Sequence, residues 1–153
     1  MPYMFRRCLE LAVTKAGSDA RRNALLPIVP IAAELDGQEW SFEARINAAK
    51  AARGEGPTKL SKKKREEIDQ YALDAKEIEE AQIKEFSAAD DPWLIVFALH
   101  MALENDIGFW SKSFPKENPE ESAIVQAFLQ AKTRLRDALA SYLEQFPDQS
   151  DEG

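Results

Sequence analysis

Apolar side chains recur along this chain mainly at intervals of three and four, the spacing that lines one face of an α-helix. Met4, Phe5, Cys8, Leu9, Ala12, Val13 and Ala16 predict a first helix, with Gly17 as its stop. Ser18 or Asp19 then caps a short second helix, which runs to Leu26 and ends where Pro27 removes a backbone donor. Residues 27–42 read two ways. Pro30 can open a short helix that ends at Asp36-Gly37, or Asp36-Gly37 can be the two-residue turn of a small hairpin. Gln38, Trp40 and Phe42 do not settle the matter by alternation, and the helix is the favoured reading.

Ser41 caps the next predicted helix, an alanine-rich segment reaching Arg53 with a thin apolar face of Phe42, Ile46 and Ala49. Gly54-Glu55-Gly56-Pro57 breaks the chain, so residues 54–58 read as a linker between a front part (1–53) and a back part. Residues 61–86 predict a long charged helix whose stripe (Ile68, Tyr71, Ala75, Ile78, Gln82, then Phe86) should lay one face on the core. Asp91-Pro92 is a strong helix start. The helix over 92–106 is apolar all round from Trp93 to Leu103, which predicts that other helices surround it, and Gly108 reads as its end. After a loop, Asn118-Pro119 opens a final helix along Ile124, Phe128, Ala131, Leu135, Ala138 and Tyr142, ended by Pro147. Three long C-terminal helices form a natural antiparallel bundle with the shorter front helices packed on it. The expectation is therefore all-α: one helical domain over 1–147, built from about five to six helices around the central 92–106 helix, with 148–153 as a disordered acidic tail.

At 153 residues and 44% hydrophobic content, one domain can bury a sufficient core without staples. The single Cys8 cannot make an internal disulfide and falls in an apolar stripe, so it reads as a buried, inert thiol. The apolar run 93–103 is eleven residues long, against the roughly 20 that span a bilayer. With no signal-peptide pattern either, a cytoplasmic location is expected and no membrane partner. Net charge is −7, and residues 90–153, with 5 basic and 12 acidic groups, carry all of that excess. Such a surface suits a basic protein partner and makes nucleic acid a less natural one.

Chemistry is sparse. One His and one Cys do not make a zinc, haem or thiol site, and no Walker loop, dinucleotide fingerprint or nucleophile elbow occurs. No catalytic residue, metal or cofactor is assigned. His100 and Glu104, four apart, read as a satisfied core imidazole and its neighbour before they read as an acid–base pair. Two groups remain as partner-binding candidates. Phe109, Trp110 and Phe114 crowd a loop after Gly108, either as exposed anchors or as a lid over the bundle end. Lys62, Lys63, Lys64 and Arg65 sit at the positive end of their helix, where cations are disfavoured, although Glu66, Glu67 and Asp69 offset them one turn on. The first functional expectation is a non-enzymatic protein-binding module of inhibitor, immunity or adaptor type. The alternatives are a nucleic-acid-associated regulator using the basic run of residues 59–65, and an enzyme without a recognisable motif. The oligomeric state is not legible in the sequence.

Overall fold

The computed structural model describes residues 5–54, 62–112 and 118–147, without the side chains of Trp40, Lys64, Tyr71 and Ala75. Six helices hold 89% of the described residues, and no strand occurs among them. They are α1 (Phe5–Thr14), α2 (Asp19–Leu25), α3 (Ile28–Ala52), α4 (Lys62–Ala88), α5 (Pro92–Lys112) and α6 (Pro119–Gln145). The linker residues 55–58 and the tail 148–153 lie outside the described residues.

Local capping chemistry places several boundaries where the sequence puts them. The Ser18 hydroxyl accepts from the Arg21 amide and starts α2. The Asn118 carboxamide accepts from the Glu120 and Glu121 amides, Pro119 stands at the first helical position, and two acids fill the first turn of α6. Asp91 accepts from the Trp93 amide ahead of α5. Gly54, at φ 79°, takes the left-handed conformation that ends α3.

Residues 27–42 are neither a hairpin nor a short helix stopped at Asp36-Gly37. Helix α3 runs unbroken for 25 residues through both. Asp36 is spent elsewhere: its carboxylate accepts from the Phe5 and Arg6 amides, at 3.1 and 3.0 Å, and so caps α1 across the fold. Ser41 is no cap either. It lies mid-helix and donates its hydroxyl back to the Gly37 and Gln38 carbonyls. Gly108 likewise fails to stop α5, which continues to Lys112 and takes Phe109 and Trp110 into the helix.

The core is made mainly by α1, α3, α5 and α6, to which α2 adds Leu25 and α4 adds Phe86, with the most extensive contacts between α3 and α6 and between α5 and α6. Leu9, Leu25, Leu35, Ile95, Leu99, Leu103, Leu135 and Leu139 are its fully buried large side chains. This corrects the expected bundle of three long C-terminal helices. Helix α4 joins the core only through its C-terminal part, where it meets α1, Phe86 is buried and Lys15 Nζ donates to the Ser87 carbonyl at 2.7 Å. Nor is α5 surrounded. It buries Ile95, Val96, Leu99 and Leu103 while leaving Leu94, Phe97 and Met101 exposed on the far side.

Cys8 is buried, and its thiol is pushed up to about 12, by burial first and then by the negative charges of Asp36 and Glu79. Thiolate is therefore scarce at neutral pH. Iodoacetamide at pH 8 should label the native protein at least about a hundredfold more slowly than the urea-unfolded chain, as followed by intact mass.

Candidate functional site

The C-terminal end of α5 joins three helices. Phe42 of α3, Trp110 of α5 and Phe128 of α6 form a triangle of rings, with centroid separations of 5.5 Å (Phe42–Trp110), 4.8 Å (Phe42–Phe128) and 6.1 Å (Trp110–Phe128). The two contacts made by Phe42 are edge-to-face, the favourable arrangement for ring quadrupoles. One turn further on in α6, the Lys132 side chain is 3% exposed, lies over the Phe128 ring at 4.4 Å and is ion-paired to Asp106 of α5. Burial pushes the carboxyl of Glu39 above its usual range, and the nearby Lys132 charge pulls it back. These groups form a structural clamp: each charge has a partner, and the rings fill the space between helices.

The sequence-singled aromatics therefore separate. Trp110 is half-buried in the ring triangle and is the lid of the two alternatives. Phe109 is 63% exposed and is the outward-facing ring. Phe114 lies outside the described residues. Trp110→Ala should lower stability by about 2 kcal/mol, short of the ~3–5 of a fully buried tryptophan, whereas Phe109→Ala should cost under about 0.5. Parallel urea melts of the two variants check this; equal losses would mean that the triangle does not hold the three helices together.

Lys62, Lys63 and Arg65 are exposed at the start of α4, as are Glu66, Glu67 and Asp69 behind them; the Lys64 side chain lies outside the described residues. The face that buries Phe86 continues back along α4 to Ile68, which is 47% exposed. Leu73 and Ile78 are exposed as well, at 58% and 57%. Among its described side chains, the expected core-facing stripe thus reaches the core only near its C-terminal end. N-terminal to that part, from Lys62 to Ile78, every described side chain of α4 is exposed, and this stretch forms an arm. Between Glu66 and Ala88 the helix carries eight acids against Lys76 and Lys84.

Groups that could do acid–base chemistry are dispersed. His100 Nε2 stands 3.7 Å from Glu104 Oε1, too far for a hydrogen bond, and Arg136 approaches the same oxygen at 3.8 Å. An open groove of about 670 Å³ between α5 and α6 is lined by Ile107, Leu129 and polar residues. Asp137 is the one acid along it, and it is engaged by Arg136 at 3.1 Å. No group of three or more potential metal ligands occurs among the described residues, and no described helix is long and apolar enough to cross a membrane. In comparisons with known proteins, no family model matches the chain, and neither a curated protein nor a solved structure matches it.

Proposed function

We propose that this chain is a non-enzymatic protein-binding module, an inhibitor or adaptor of the cytoplasm, whose α4 arm docks on a partner with a basic surface. One observation carries the reading. Ile68 and Ile78, with Leu73 on the other side, are exposed on a helix that is strongly acidic around them, beyond the point where the other described residues cover it. A fold gains nothing from extending such a helix past its own core, since most helical stability comes from packing an apolar face. A partner that covers the apolar positions and neutralises the flanking acids supplies both missing terms.

The test is a photo-crosslinking residue at position 71, which the helical period puts between Ile68 and Ile78, in the full chain in its native cells, with and without Ile68→Asp and Ile78→Asp. The reading expects one dominant crosslinked protein, joined through a lysine- or arginine-rich surface and lost in the double variant, while circular dichroism stays unchanged. Crosslinks that survive the double variant would overturn it. The exposure of Lys62, Lys63 and Arg65 favours a second reading, nucleic-acid association. That reading expects capture of RNA or DNA whose affinity falls steeply with salt and disappears in Lys62→Glu, Lys63→Glu, Arg65→Glu.

A further inference from the structure

The outer face of α5 is independent of the α4 arm and carries its own pattern. Leu94, Phe97 and Met101 are 42%, 39% and 44% exposed and follow one another at spacings of three and four, the seam spacing of paired helices. Past the exposed Glu104, which holds the next seam position, the same face reaches Gly108, one heptad beyond Met101 and flanked by the exposed Phe109. A Cβ built on Gly108 meets nothing within 4 Å, so no close approach among the described residues requires this residue. It leaves a flat place on an apolar face.

We infer that this face pairs with the same face of a second copy of the chain, the two α5 helices lying antiparallel about a two-fold axis at Met101. The arrangement follows from the order of residues. With Met101 opposite itself, positions related by the axis add to about 202. Leu94 then meets Gly108 and Phe109 of the partner subunit, an apolar side chain over a flat place beside an exposed ring. Phe97 meets Asn105 of the partner subunit. Glu104, drawn aside by His100 and Arg136, faces Ala98 of the partner subunit, so that no like charges oppose. At the ends, the exposed Asp90, in the bend just ahead of α5, falls on the side of Lys112 of the partner subunit, twice by symmetry. A parallel pairing would set Asp90 against Asp90 and Lys112 against Lys112. Charge complementarity selects the antiparallel dimer.

One helix of 21 residues per subunit buries less than the ~1,200 Å² lower bound of stable interfaces, so the dimer forms in a concentration-dependent equilibrium between folded monomers. Sedimentation equilibrium of the full chain from about 1 to 500 μM should show the mass climbing from 17.2 kDa towards twice that value. Met101→Glu, which sets two carboxylates against each other on the axis, should hold the chain monomeric throughout with an unchanged circular dichroism spectrum; Phe97→Glu serves if the first variant loses helicity. Asp90→Lys and Lys112→Asp should each weaken dimerisation about tenfold, and the double exchange should restore it. Oxidised Met101→Cys should crosslink to itself, whereas Leu94→Cys should not. A chain that stays at monomer mass up to 500 μM would overturn the inference. So would a dimer indifferent to both glutamate variants, or one whose Leu94→Cys form crosslinks to itself.

Discussion

Leu99→Ala should lower the melting temperature by roughly 7–20 °C. Leu99 lies mid-way along α5, is 1% exposed and belongs to the single core cluster that draws on α1, α3, α5 and α6. Truncation removes three carbons from contact with these helices and leaves a cavity. Cavity and transfer effects together cost about 2–5 kcal/mol for a buried leucine. The upper half applies where the neighbours cannot collapse inwards, and Leu103, Leu135 and Leu139 are each fully buried in the same cluster. At 2–4 °C per kcal/mol for a chain of this length, that is the range stated above. Met101→Ala is the control. Two residues further along the same helix, Met101 is 44% exposed, and its loss from the monomer should cost under about 1 kcal/mol. Melting at a few micromolar keeps self-association out of the comparison. If the two variants melt together, α5 does not divide into a buried and an exposed side.

That division marks where sequence reasoning worked and where it stopped. Periodicity and caps are local physics, and they placed α2 after Ser18, α5 after Asp91 and α6 after Asn118, because the capping bonds join residues two or three apart. The misread positions are local signals overruled at long range. Asp36-Gly37 has the chemistry of a turn, but its carboxylate is claimed by the amides of Phe5 and Arg6, 31 and 30 residues away. Gly108 has the chemistry of a stop, yet Trp110 two residues on packs against Phe42 and Phe128, and that contact favours continuing the helix over breaking it. The apolar positions of α4 and α5 were legible, as a core-facing stripe on the first and as an all-round apolar run on the second. What covers a stripe is a property of the assembled fold, and nothing in the spacing of Ile68 or Leu94 distinguishes a core position from a docking position. The aromatic candidates were found by composition, but only the helical geometry separates the inward Trp110 from the outward Phe109.

Asp106→Ala should cost about 3 kcal/mol or more, and Lys132→Met no more than about 1. The pair they disrupt is the same, so the asymmetry is the prediction. Lys132 is buried between α5 and α6, and its ammonium depends on the Asp106 carboxylate and the Phe128 ring for what water would otherwise provide. Removing Asp106 leaves a buried cation short of its partner, the situation that makes broken buried pairs expensive at about 3–5 kcal/mol. Glu39 lies close enough to feel Lys132 and moderates the loss. Removing Lys132 instead leaves Asp106, whose side chain is 39% exposed and can take up water, while the methionine keeps the packing on Phe128. The methionine variant should nevertheless be pH-sensitive. Burial raises the folded-state pKa of Glu39 above its unfolded value, so this group favours folding most when protonated and opposes it increasingly as pH rises through the range between the two values. Without the Lys132 charge that pull grows, and the gap in stability between Lys132→Met and the parent chain should widen from about pH 4 to pH 7. Urea unfolding at both pH values measures it. A gap that narrows with pH would place Glu39 outside the influence of Lys132, and equal costs for the two variants would mean that Asp106 is as poorly hydrated as its partner.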